Sequence, residues 1–274
     1  MVIFLVDANG TRGSLGHTGS HDAGSLTINS GGEYMATSGT TTITSEASSG
    51  YAWNRIDGGT FTDNDGTVTI GDGSTAIGGT HIRETRFHHL IINRDASSTN
   101  TLWRDVSGNT LTIDGDFTIT KGTFFRNTAA DTLTVTGDVS VGATGKLGDG
   151  SESGTNNFGS LTIASGGTFI ATSGTTTITS IASSWSFDTV SNSTFTHNNG
   201  TIKFAASSGD QKIRNLGGEN FYNLTVDMAN GDLVQGSTGF IVENNLDITL
   251  AADHTWRPNT TSHTLTVFGF FFFF

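Results

Sequence analysis

The chain has 274 residues, 34% hydrophobic and only 14% charged, with 37 glycines, one proline and no cysteine. A formal net charge of −12 argues against nucleic acid, whose phosphates call for Lys and Arg, and against anionic lipid. Without cysteine there is no disulfide, thiolate nucleophile or Cys-ligated metal, and no apolar run is long enough to insert into a membrane.

The elements follow one another quickly. The chain opens on VIFLV (2–6), an apolar stretch too short for a signal-peptide core and lacking the preceding positive charge. Then come SLTIN (25–29), TTTITS (40–45), TFTD (60–63), TVTI (67–70), HHLIIN (88–93), TLTID (110–114), DFTIT (116–120), TLTVT (132–136) and DVSV (138–141). Each alternates with period two and is rich in β-branched residues, the pattern of a strand with one buried face. Gly, Asn, Asp and Ser separate the runs, which is turn chemistry. No segment carries helical periodicity with start and stop signals. The alternation directs Leu26, Ile28, Ile43, Val68, Ile70, Leu90, Ile92, Leu111, Ile113, Phe117, Ile119, Leu133 and Val135 inward.

Residues 24–45 return almost unchanged at 159–180, with eighteen of twenty-two positions identical. The differences are Asn29/Ala164, Glu33/Thr168, Tyr34/Phe169 and Met35/Ile170. The correspondence continues at a shifting offset: 59–70 answers 193–204, 86–93 answers 220–227, and 131–137 answers 263–269. Drift in the loops with preserved strands is what variable surface connections produce. The reading is therefore two tandem units of about 135 residues, 1–137 and 138–274, in one continuous rod.

Successive LTI-like cores within a unit predict an all-β fold, a parallel β-solenoid of the right-handed β-helix type. At roughly 20 residues per coil and about 4.8 Å per stacking step, it would make about a dozen coils and a rod on the order of 60 Å. Tandem antiparallel sandwiches are the alternative. The strings STFTHNNGTIKF, FYNLTV, LDITL and HTLTVFG resemble the repeats of large bacterial and phage surface proteins with β-helical stalks, adhesin-like or fibre-like. That resemblance implies a structural or adhesive role at a cell or virion surface and brings no catalytic motif with it.

Candidate chemistry is sparse. His81, His88, His89 and Glu84 cluster in sequence, but their spacing fits no closed zinc set. Asp63, Asp65, Asp114 and Asp116 lie in oxygen-rich turns that suit weak Ca²⁺ binding, or turn geometry with no ion at all. The second copy has His197, Asn198 and Asn199 where the first has Asp63, Asn64 and Asp65. The acids show no pairing of the kind glycosidases use, so an enzyme is not expected, nor is a cofactor. Outward Thr recurs throughout, and Thr42, Thr44, Thr177 and Thr179 form the candidate binding face for ice or a polysaccharide. The ends are Ile3, Phe4, Leu5 and Val6 at the start and Phe270, Phe271, Phe272, Phe273 and Phe274 at the finish. Exposed strand edges and a run of Phe invite a second copy to stack head to tail; alternatively the Phe run is a sequence scar. The expected location is extracellular or on a virion surface.

Overall fold

A computed structural model describes residues 3–73, 80–95, 100–103, 110–126, 130–180, 185–236, 239–258 and 264–273. Among them there is no helix, and every strand pairing is parallel. The chain winds as a three-faced β-solenoid of about ten turns, which sets aside the antiparallel sandwich. The first face begins Ile3–Val6, Ser25–Ile28, Tyr51–Arg55, Thr80–Arg83. The second face takes in Thr11–Arg12, Glu33–Met35 and Thr60–Thr62, and further along Thr110–Ile113, Thr175–Ile178 and Thr201–Phe204. The third face begins His21–Ala23, Thr40–Ile43, Thr67–Ile70, His89–Asn93. The coils are longer than expected. Register partners one turn apart are separated by twenty residues at Phe158 and Ile178 but by thirty at Tyr51 and His81, so there are fewer turns.

The inward positions read from the alternation are all buried. On the third face they form one aliphatic ladder: Ala23, Ile43, Ile70, Ile92, Ile119, Val141 and Ile163, each in register with the next. The ladder then turns polar. Ile163 sits beside Thr189, whose hydroxyl donates to Asn215 Oδ1 at 2.6 Å, and the Asn215 amide donates on to the Glu219 carbonyl. A buried hydroxyl and amide are tolerated there because each has a partner.

The duplicated sequence makes duplicated packing. Tyr34 stacks on Phe61 at 6.1 Å and Phe87 packs tilted against Phe61 at 5.9 Å, with Trp53 edge-on to both Phe rings. Phe169 stacks on Phe195 at 5.9 Å and Phe221 packs tilted against Phe195 at 5.7 Å, with Phe187 in the place of Trp53. The exchange of Tyr34 for Phe169 is compensated nearby. The Tyr34 hydroxyl lies 3.4 Å from Thr41 Oγ1 and from His21 Nδ1. In the second copy Asn156 replaces His21, and its amide donates directly to Thr176 Oγ1 at 3.0 Å.

The two copies do not lie on the same faces. SLTI of the first copy (25–28) is on the first face, between Ile3–Val6 and Tyr51–Arg55. SLTI of the second (160–163) is on the third face, between 138–141 and Phe187–Thr189. TTTI moves likewise, from the third face (Thr40–Ile43) to the second (Thr175–Ile178). One repeat is thus one face short of six turns, and the strand Thr132–Leu147 carries the chain across all three faces at the junction.

Turns are matched as well. Asn64 and Asp65 adopt left-handed backbone with φ of 51° and 54°, and Asn198 and Asn199 do the same at 49° and 58°. Asn and Asp are the residues that reach this region at least cost. The glycine that follows passes close under the coil before it: a Cβ on Gly66 would stand 2.0 Å from the Thr37 carbonyl oxygen, and one on Gly200 would stand 2.1 Å from that of Thr172. Gly200→Ala is therefore expected to cost roughly 1–3 kcal/mol by overpacking. Denaturant melts of the variant and the parent chain measure it; an unchanged midpoint would show that the coils can move apart there.

Candidate functional site

The outer surface is built from the alternate residues of each strand, so its chemistry is set by vertical ladders. Thr42 belongs to the third face, in register with Asp22 and Thr69. Thr177 belongs to the second, in register with Asn157 and Lys203. The four Thr expected on one binding face therefore lie on two, because the repeat rotates by a face. Thr44 and Thr179 are corner residues whose hydroxyls donate to the carbonyls of Ala23 (3.2 Å) and Phe158 (3.1 Å) in the preceding coil.

The second face carries the more regular array. Its outward positions over four successive coils are Thr110 and Thr112, Thr132 and Thr134, Thr155 and Asn157, Thr175 and Thr177. Thr132 Oγ1 and Thr155 Oγ1 are 3.1 Å apart, and the Asn157 amide donates to Thr134 Oγ1 at 3.4 Å. The ranks are bordered by Arg86 in the preceding coil and Lys203 in the next. The third face, by contrast, interrupts its Thr with Asp22, His89, Asp116, Asp138 and Asp188.

The acidic turn residues are placed at corners and used locally. Asp63 accepts a hydrogen bond from the backbone N–H of Asp65, two residues on in a tight turn. Asp65 faces His88 at 3.4 Å. Two coils beyond Asp63 and Asp65, Asp114 pairs with Arg86, while Asp116 accepts the backbone N–H of Asp138 at 2.9 Å. The structure thus separates the four into two pairs. Among the described residues no three His, Asp or Glu side chains gather where a metal could sit. His89 accepts the Asp116 N–H on Nδ1, His81 Nδ1 lies 2.9 Å from the Gly50 carbonyl, and Glu84 is buried against Arg55 and Trp53.

Glu84 is a buried carboxylate that periodicity did not reveal. Its Oε1 accepts from Arg55 Nε at 2.7 Å and from the Thr85 N–H at 2.8 Å; its Oε2 lies 3.4 Å from Trp53 Nε1. Trp103 Nε1 donates to the Glu84 carbonyl. Burial pushes its carboxyl up from the usual range, against the pull of the Thr85 N–H and Arg55. A second buried pair joins Arg126 to Glu152, with Arg126 also donating to the carbonyls of Asp131 and Thr155. Partners a full coil apart leave no sequence signal beyond an Arg at a strand end. Near the surface, Arg214 grips Asp188 through two bonds of 2.7 and 2.6 Å, which raises the guanidinium further.

The two ends differ. At the start, Phe4 and Val6 are buried rather than exposed, and the Arg12 guanidinium lies 3.5 Å from the Phe4 ring centroid; Leu5 points out. Ile3 belongs to the first strand. At the finish, Phe271–Phe273 stacks on the coil before it, and Phe268, Phe270, Phe271 and Phe272 are 71%, 71%, 55% and 45% exposed. Phe274 lies outside the described residues. A shallow depression of about 270 Å³ lies beside Phe4, Arg12, His17 and His21. No family model, curated protein or solved structure matches the chain.

Proposed function

We propose that the chain is a structural segment: a β-solenoid subunit of an extracellular filament, fibre or surface stalk that stacks end to end with other copies, needing neither catalysis nor a cofactor. The observation that supports this reading best is the continuity of parallel ladders along the chain, together with the exposed rings of Phe268, Phe270, Phe271 and Phe272 in its last described coil. Strand edges and apolar rings in water favour association with a matching edge. Stacking last coil on first is heterologous and does not close, so it generates a filament. Arg12 over Phe4 presents a cation to the incoming rings, a favourable pairing.

Negative-stain electron microscopy and light scattering of the full chain test the reading. Filaments are expected, and replacing Phe270, Phe271 and Phe272 by Ser should shorten or abolish them while leaving the circular dichroism unchanged. A monodisperse monomer at high concentration would overturn end-to-end assembly. A broad glycan-hydrolase and lyase screen is expected to be blank; turnover abolished by one carboxylate substitution would overturn the non-enzymatic reading.

A further inference from the structure

The geometry points to the second face between Thr110 and Thr177 as an ice-binding surface, a role independent of end-to-end stacking. Seven of the eight outward positions over four coils are Thr and the eighth is Asn157. Within a strand the two ranks stand about 6.7 Å apart, twice the rise per residue, and along the axis each rank repeats at about 4.8 Å. The result is a two-dimensional grid about 15 Å along the axis.

Three properties select the occupant. First, the grid is rigid. Thr is stiff at χ1, and the Thr132–Thr155 and Asn157–Thr134 contacts tie neighbouring coils together. Little order is then lost on binding. Second, each of the seven Thr in the grid offers a hydroxyl beside a methyl. The hydroxyl can hold a water, and the methyl restricts the orientations of the water next to it. Single contacts of this kind are weak, and they add only against a partner that repeats on a lattice of similar spacing. Ice is such a partner. Third, the patch has no charge, in a chain of net charge −12, and no aromatic side chain. That disfavours anionic polymers, which require cations, and crystalline polysaccharide, whose sugar faces suit aromatic rings.

The test uses the full chain. Nanolitre osmometry should show a gap between melting and freezing that grows with protein concentration, with faceted crystals inside the gap. Thr134→Lys, at the centre of the grid, and Thr177→Lys, at its edge, should each lose most of that gap with circular dichroism unchanged. Thr69→Lys on the third face should keep it. If Thr134→Lys fails to fold, Thr177→Lys carries the comparison. A folded parent chain that leaves freezing unaltered would overturn the assignment. So would equal loss in Thr69→Lys and Thr177→Lys. Retention on microcrystalline cellulose or chitin without any effect on ice would also overturn it, in favour of a polysaccharide. Filaments that form without ice activity would leave the structural reading intact.

Discussion

Ile119→Asp should unfold the middle of the rod, whereas Thr118→Asp, one residue away, should be nearly silent. Ile119 is wholly buried, between Ile92 in the coil before and Val141 in the coil after. Removing its aliphatic side chain alone would cost about 2–5 kcal/mol. A carboxylate in its place has no cation within the ladder and adds the cost of an unpaired buried charge. In a stacked array a lost coil also removes the surfaces on which both neighbours rest, so the damage spreads along the axis. Thr118 faces outward between Ile91 and Ser140, and its change should stay within about 0.5 kcal/mol. Denaturant melts of the two variants measure the contrast. Equal losses would mean that the inward and outward assignments along this strand are mistaken, since a one-residue slip exchanges them.

That alternation is the part of the fold most legible in the sequence. Period two depends only on neighbouring residues, so Leu26, Ile43, Leu90 and Ile119 could be placed inside without knowing which coil lay above or below. The aromatic triplets leave a trace in the sequence, since Tyr34, Phe61 and Phe87 recur as Phe169, Phe195 and Phe221 at nearly constant spacing, but their packing against one another was not read from it. The face occupied by each copy was not. It depends on how many strands the intervening loops allow, and coil lengths vary between twenty and thirty residues. Thr42 and Thr177, alike in their local sequence, were therefore grouped on one face when they lie on two, while Thr110, Thr132, Thr155 and Thr175 were not seen to align. Buried charges were the hardest to read. Arg55 meets Glu84, and Arg126 meets Glu152, through coil stacking alone, which no local pattern encodes.

Glu84→Ala should be among the most destabilising changes outside the apolar ladders, by about 3–5 kcal/mol, because it leaves a largely buried Arg55 without its carboxylate. It also removes the acceptor for the Thr85 N–H and the partner of the buried Trp53 ring nitrogen. Glu84→Gln keeps the shape and an acceptor and should cost less. The pair separates charge from shape through its pH dependence. Burial holds the folded Glu84 carboxyl above its unfolded pKa, so between the two values the folded state binds the extra proton. The stability this group contributes is fully present below the ordinary unfolded carboxyl value and is lost as pH rises through the raised folded value. The stability of the parent chain relative to Glu84→Gln should accordingly fall with rising pH across that window and level off above it. Urea melts of both chains at a series of pH values give the difference directly. A difference that instead grows with pH would show that Arg55 and the Thr85 N–H outweigh burial, and that Glu84 is held ionised as the anionic half of a buried ion pair.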